Sequence, residues 1–313
     1  MATITTAGRE TIALDLYGPV GRSAWLDIDW REHQRWVQVG GRRMNVIDIG
    51  PAADRDAAAG TIVWIHGLSG CWQNWLENLP HFARTHRCIA MDLPGFGESE
   101  MPAETITISG YAATVDELLR VLGVARATVV GNSMGGFVGA EVAIRFGTWV
   151  DKLVLVSAAG LTTEYLRNDH ALAALRRGSR LLALASGWLA SKSDALARRP
   201  RSRRAILGLV AAHPDRLPAP LVAEQLHGAG RPGFIDALDA LTSYPIRDRL
   251  GEITAPTLVV WGAKDALVPA RDAWKFGELI PDARVVVYED TGHLSMLERP
   301  VAFNALVQDF LEV

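Results

Sequence analysis

Cysteine is scarce: Cys71 and Cys88 are the only two in 313 residues. Two thiols make no disulfide framework, so packing must hold the chain together, and both read as small apolar residues of a reducing compartment. No run of about 18 uncharged apolar residues occurs, so there is no candidate membrane span. The charges nearly cancel, at −3 overall, which leaves the whole molecule without the signature of a nucleic-acid or membrane-surface binder. The first ten residues lack the basic stretch and following apolar run of a secretory leader, so the expected location is the cytoplasm. Internal repeats and low-complexity tracts are absent too. What is abundant is apolar: 49% hydrophobic residues and a mean hydropathy of +0.11. That suffices for a large core in one large domain or two modest ones.

The most informative stretch is Ala127 to Phe137. Thr128, Val129 and Val130 form a β-branched run, the composition of a buried parallel strand. Gly131-Asn132-Ser133-Met134-Gly135 fits G-x-S-x-G, and Val138 to Phe146 reads as an amphipathic helix. Strand, sharp glycine-flanked turn and helix form the context in which such a serine is pushed out of a sheet. A glycine-rich turn with a passenger serine would look the same. A phosphate-cradling loop would not, because no Gly-Lys-Ser/Thr follows.

Around that stretch, strands and helices alternate. Arg35–Val39 and Met44–Ile49 form a hairpin about Gly40-Gly41. Thr61–Ile65, Cys88–Met91, Lys152–Ser157, Thr257–Trp261 and Arg284–Tyr288 read as strands. Trp75–Arg84 reads as a helix apart from Pro80, Ser109–Leu122 as a helix ended by Gly123, and Val301–Leu311 as a closing helix. The alternation predicts an α/β fold, a mostly parallel sheet of about eight strands with helices on both faces. From Gly160 to about Tyr244 the patterning is helical, with no convincing strand. The expected organisation is an N-terminal arm (1–33), a core (34–159 and 246–313) and an inserted helical cap (160–245). In the arm, Trp25, Leu26, Ile28 and Trp30 could pack on the body. An insertion leaving a strand's carboxyl end would cover the crevice where open α/β sheets bind ligands.

A serine hydroxyl is a poor nucleophile at neutral pH; it needs a base, and the base needs an orienting acid. Of the eight histidines, His293 is best placed, on the loop after the last strand. Asp265 follows the preceding strand, and the order Ser133, Asp265, His293 is the one α/β-hydrolases use. A surface-loop histidine and a plain turn aspartate are the competing readings; Glu289 and Asp290 are nearby alternative acids, strained by their adjacency to His293. Backbone N–H groups aimed at a developing oxyanion should come from Met134 and from the loop after His66-Gly67, at Leu68. His66 itself and Asp92–Ser99 read as supports. Trp72, Tyr165, Trp188 and Leu294 are the expected lining of an apolar substrate pocket.

His66-Gly67, Asp92-Leu93-Pro94-Gly95-Phe96-Gly97-Glu98-Ser99, Gly131-Asn132-Ser133-Met134-Gly135-Gly136, Gly262-Ala263-Lys264-Asp265 and Gly292-His293 stand in the order found in α/β-hydrolases. Over about residues 35–313 the chain resembles that superfamily. The resemblance implies a Ser133–His293–Asp265 triad, an oxyanion hole at Leu68 and Met134, and an acyl-enzyme route with no cofactor and no metal. Ser133 stands where haloalkane dehalogenases and epoxide hydrolases of this fold carry aspartate, which speaks against displacement at an alkyl carbon; Tyr165 and Tyr244 then read as packing or lining. Proline iminopeptidases have His-Gly-Gly-Pro-Gly where this chain has His66-Gly67-Leu68-Ser69-Gly70. The serine motif resembles that of meta-cleavage-product hydrolases, which cut carbon–carbon bonds. Their Gly-Gly-Gly-Pro-Gly loop is missing, however, and Leu294 replaces their tryptophan after the histidine.

Between Arg167 and Arg204, ten Lys/Arg face two acids. Such a segment could touch anionic interfaces or be a lid helix with its arginines in water. The favoured function is hydrolysis of small to medium, largely apolar esters, with a small-molecule ester as the partner and no nucleic acid. A carbon–carbon hydrolase of a vinylogous diketone acid is the alternative. A non-catalytic ligand receptor is the reading from another class, and an intact serine, histidine and aspartate set argues against it.

Overall fold

The computed structural model describes residues 8–51, 59–162 and 192–313. Tyr165 and Trp188 lie outside the described residues, as does most of the basic segment that begins at Arg167.

Among the described residues, nine strands form one sheet: β1 (Arg9–Ile12), β2 (Gln34–Val39), β3 (Arg42–Ile49), β4 (Thr61–Ile65), β5 (Arg87–Met91), β6 (Ala127–Asn132), β7 (Val150–Val156), β8 (Thr257–Gly262) and β9 (Ala283–Tyr288). Their order is β1-β9-β8-β7-β6-β4-β5-β3-β2. Every neighbouring pair is parallel except β2 with β3 and β3 with β5. The central strands are apolar on both faces because helices cover both. Val63, Ile65, Val129, Leu153 and Val259 point into one core layer, with Leu118, Phe137 and Phe276 from the helices Ile108–Val121, Met134–Arg145 and Arg271–Leu279. Their chain neighbours Ile62, Trp64, Val130, Val154 and Leu258 point into the other, with Trp75, Phe82 and, from the closing helix Pro300–Glu312, Phe303. A period-2 backbone thus supplies two cores from one set of strands.

The sheet agrees with the expected mostly parallel sheet of about eight strands, and it includes the edge strand Arg9–Ile12, which pairs in parallel with β9 along Val285–Tyr288. Four residues with half-exposed alternation at a sheet edge carry little sequence signal. Two expectations need correction. Trp75–Arg84 is not one helix but a 3-10 turn, Trp72–Trp75, followed by a single helical turn, Leu79–Phe82. Pro80 has no N–H to give a preceding turn and is tolerated only where a helix begins. The helix after the serine begins at Met134, not Val138, so Ser133 directly precedes it. Elsewhere in the N-terminal stretch, Trp25 is buried with its indole N–H on Glu77 at 2.8 Å, and the Trp30 ring lies 4.9 Å from that of Trp72.

From 157 to 256, between β7 and β8, the described residues hold no strand. They form helices at Ser193–Ala197, Pro200–Leu207, Ala219–His227 and Phe234–Ser243. Among the described residues of the basic segment, Arg203 donates to the carbonyls of Leu217 and Asp215, and Arg204 pairs with the Asp215 carboxylate. Arg198, Arg199 and Arg201 are exposed. Among the described residues, no helix is long and apolar enough to cross a membrane.

Candidate active site

Ser133 sits between the end of β6 and its helix with φ 55° and ψ −117°. A non-glycine residue in that region is strained, and strain persists only where the surroundings over-determine it. They do so here. The Ser133 N–H donates to the Val156 carbonyl at 2.9 Å, and its own carbonyl accepts from Phe137 and Ala159 at 3.1 and 3.0 Å. Gly135 lets the helix start press onto β4, since a Cβ there would lie 2.1 Å from the Ile65 carbonyl oxygen. Met134 is the first residue of the helix, and its backbone N–H has no partner within that helix.

The loop after β4 abuts this turn. A Cβ on Gly67 would fall 3.1 Å from both the Ser133 Cβ and the Asn132 Oδ1. That brings Leu68, next in the chain, to the serine's neighbourhood. His66 is fully buried, and its Nε2 accepts the Leu93 N–H at 2.9 Å. Its Nδ1 therefore carries the proton and donates to the Gly67 carbonyl at 2.8 Å. Burial pushes the imidazole below its usual value, so it stays neutral and holds the loop. Asp92 is a second support: its carboxylate accepts from the Trp72 and Glu98 backbone N–H groups and from the Asn45 side chain.

At the ends of β8 and β9 the remaining residues meet. His293 Nδ1 lies 2.7 Å from Asp265 Oδ2, with both side chains almost wholly buried. The other carboxylate oxygen, Oδ1, accepts the Leu267 and Val268 backbone N–H groups, each at 2.9 Å. The alternative acids are placed elsewhere: Glu289 is exposed, and Asp290 bonds His213 and Lys264. Asn132, beside the serine, donates from Nδ2 to the Val156 carbonyl at 3.1 Å and to the His293 carbonyl at 3.4 Å. The serine turn and the histidine loop are therefore in direct contact. Leu294 and Trp72 are both buried, Trp72 in the layer that also holds Leu221 from the helix Ala219–His227. Among the described residues, no group of three or more His, Cys, Asp or Glu is arranged to hold a metal ion.

Three residues around the histidine were not singled out from the sequence. Asn132 is inside the serine motif but gives no sign that it reaches His293. Val210 accepts the His293 N–H through its carbonyl at 3.0 Å, a contact that any residue type could make. Glu298 is fully buried, and a lone charge in Leu294-Ser295-Met296-Leu297-Glu298 is a signal that could have been read.

A model of the alpha/beta hydrolase fold family matches residues 60–300. The chain belongs to that family. It is 29% identical over 285 residues to a 2-hydroxy-6-oxo-2,4-heptadienoate hydrolase of Pseudomonas putida, covering 88% of this chain and 95% of that one. It is 31% identical over 285 residues to the dihydrolipoyllysine-residue acetyltransferase component of an acetoin cleaving system from Pseudomonas putida, covering 88% and 68%. Among solved structures, an N-acyl homoserine lactone degrading enzyme is 26% identical, with a TM-score of 0.70 over 88% of this chain and all of that one. The likeness thus extends both to a heptadienoate hydrolase and to an enzyme that degrades a lactone.

Proposed function

We propose that the protein is a serine hydrolase that cleaves carboxylic esters of small to medium, largely apolar substrates through an acyl-enzyme intermediate. The observation that carries the reading is the His293–Asp265 pair at 2.7 Å, joined through Asn132 to the strained Ser133 turn. In this reading His293 Nε2 takes the Ser133 proton as Oγ attacks the acyl carbon, and then gives it to the departing alcohol. Asp265 fixes the tautomer that leaves Nε2 free as base and stabilises the imidazolium. Backbone N–H groups of Met134 and Leu68 receive the tetrahedral oxyanion. Water, activated by the same histidine, releases the acid and regenerates the serine. A lactone is a cyclic ester, so the likeness to a lactone-degrading enzyme supports this bond type. The insertion between β7 and β8 acts as the cap over the site, with Tyr165, Trp188, Trp72 and Leu294 as its proposed lining.

Carbon–carbon cleavage is the second reading, favoured by the Gly131–Gly136 motif and the likeness to the heptadienoate hydrolase. Against it stands Leu294 in place of the tryptophan of that group.

The test is hydrolysis of p-nitrophenyl acetate, butyrate, octanoate and palmitate by wild type and by Ser133→Ala. Turnover that disappears in the variant supports the nucleophile, and its chain-length profile sizes the pocket. Turnover that survives in the variant refutes the assignment. A wild type inert to all four esters but active on a dienoic ketoacid would favour the second reading.

A further inference from the structure

Behind His293, three parts of the chain that are far apart in sequence meet on one buried carboxylate. Glu298 Oε2 accepts the Gly292 N–H at 2.9 Å, the Ala212 N–H at 2.9 Å and the Tyr17 hydroxyl at 2.7 Å. Its Oε1 accepts the Leu294 N–H at 3.2 Å. The two residues flanking His293 are therefore both hydrogen-bonded to one side chain. Every one of these partners is a donor, so the site is built to receive an oxygen pair and no amide or hydroxyl hydrogen.

Tyr17 closes the arrangement from the N-terminal stretch, ahead of the residues shared with the family. Its hydroxyl donates to Glu298 and accepts the His213 N–H at 2.9 Å. The guanidinium groups of Arg216 and Arg299 each approach its ring, at 4.7 and 4.8 Å from the centroid. Burial, reinforced by the neighbouring Glu298, pushes the phenol above its usual range, so it remains a donor. Arg299 in turn holds the Leu14 carbonyl at 3.1 Å, and the Gly18 N–H donates to the Glu298 carbonyl at 2.7 Å. The same junction binds the insertion: Val210 accepts both the His293 and Leu294 N–H groups.

We infer that Glu298 and Tyr17 are positioning residues for His293: they lock its backbone to the insertion and to the N-terminal stretch, so that the imidazole is held against Asp265. The inference rests on the Ser133–His293–Asp265 reading. It assigns the N-terminal stretch a part in the chemistry, although Tyr17 touches no reacting atom.

Tyr17→Phe tests it with the ring and both cation contacts kept. The variant should fold as wild type does, by circular dichroism, and kcat on p-nitrophenyl butyrate should fall by about 3- to 10-fold, the equivalent of one hydrogen bond. KM should stay within about twofold, since the lost interaction does not hold substrate. Glu298→Gln sets an amide NH2 against backbone N–H groups and should cost about 10- to 100-fold in kcat, as for a hydrogen-bonded charge. The downfield proton resonance of His293 Nδ1–H, assigned by its loss in His293→Ala, should shift or broaden in both variants. An unchanged kcat, a rise in KM alone, or a loss that only follows the folded fraction with the resonance unmoved would overturn the inference. If Glu298→Gln does not fold, Tyr17→Phe decides. If wild type hydrolyses no ester, the ester reading fails separately, and the resonance in Tyr17→Phe alone decides the positioning role.

Discussion

Asp265 holds His293 with one carboxylate oxygen and its own loop with the other. Oδ2 lies 2.7 Å from His293 Nδ1, while Oδ1 accepts the Leu267 and Val268 N–H groups. The division of labour predicts an asymmetric result for Asp265→Asn. The amide oxygen can still accept from the loop, so the fold should survive. The amide nitrogen facing His293 cannot accept the Nδ1 proton, and the imidazole must then present the wrong tautomer. By analogy with the serine-protease triad, kcat on p-nitrophenyl butyrate should fall by about 10³- to 10⁴-fold, with the melting temperature little changed. A loss under about tenfold would remove Asp265 from the proposed mechanism.

Gly135 is where the serine turn touches β4. A methyl group there would sit 2.1 Å from the Ile65 carbonyl oxygen and 2.5 Å from that of His66, both backbone atoms that cannot swing away. Gly135→Ala should therefore cost about 1–3 kcal/mol in urea unfolding, as overpacking does. It should lower kcat too, because any relief moves the Gly67–Leu68 loop relative to Ser133. A stable variant of wild-type activity would show that the turn is looser than its contacts imply.

What the sequence disclosed follows from which interactions need particular residue types. Buried central strands need β-branched and apolar residues, so β4, β6, β7, β8 and β9 were legible to within a residue or two. The serine turn was legible because glycines are required around it. Ser133, Asp265 and His293 stood out because each lies in a short motif at a strand's carboxyl end. By contrast, β1 is a short edge strand paired through its backbone, and nothing in Arg9–Ile12 demands it. The Val210 contact is made by a carbonyl, which every residue has. Glu298, a lone charge in an apolar run, is a local signal of a buried carboxylate, but its partnership with Tyr17 and Ala212 joins segments brought together only by folding, a relation that no local pattern encodes.

Glu141, fully buried in the helix that follows Ser133, receives the Tyr244 hydroxyl at 2.7 Å and Arg249 Nη1 at 2.9 Å. Both partners lie on the chain returning from the insertion to β8. Removing one member of a buried pair costs about 3–5 kcal/mol, because the remaining charge has lost its partner. Arg249 is 34% exposed, and Arg145 Nε remains 4.0 Å from the Glu141 carboxylate, so Arg249→Met should cost less, about 1–3 kcal/mol. Adding Glu141→Met should recover much of that loss, since both charges are then gone. A double variant no more stable than Arg249→Met alone would show that the ion pair contributes through packing and not charge.

Asp290 joins the insertion to the loop before His293 and gives stability a defined pH dependence. Its carboxylate bonds Lys264 and, at 2.8 Å, His213 Nε2; these contacts hold it down at about 2, from an ordinary 3.8. A carboxyl whose folded-state value is depressed adds stability that is present above its unfolded value and disappears as pH falls through the folded one. The window is therefore pH 4 down to about 2. The side chain is 42% exposed, so the contribution at pH 5 should be modest, about 0.2–1 kcal/mol. Asp290→Asn removes it. Unfolding of wild type and variant at pH 5, 4, 3 and 2.5 should show wild type ahead at pH 5 and the two converging toward pH 2.5. A gap that stays constant across the series would mean that Asp290 works through its shape or hydrogen bonds and not its charge.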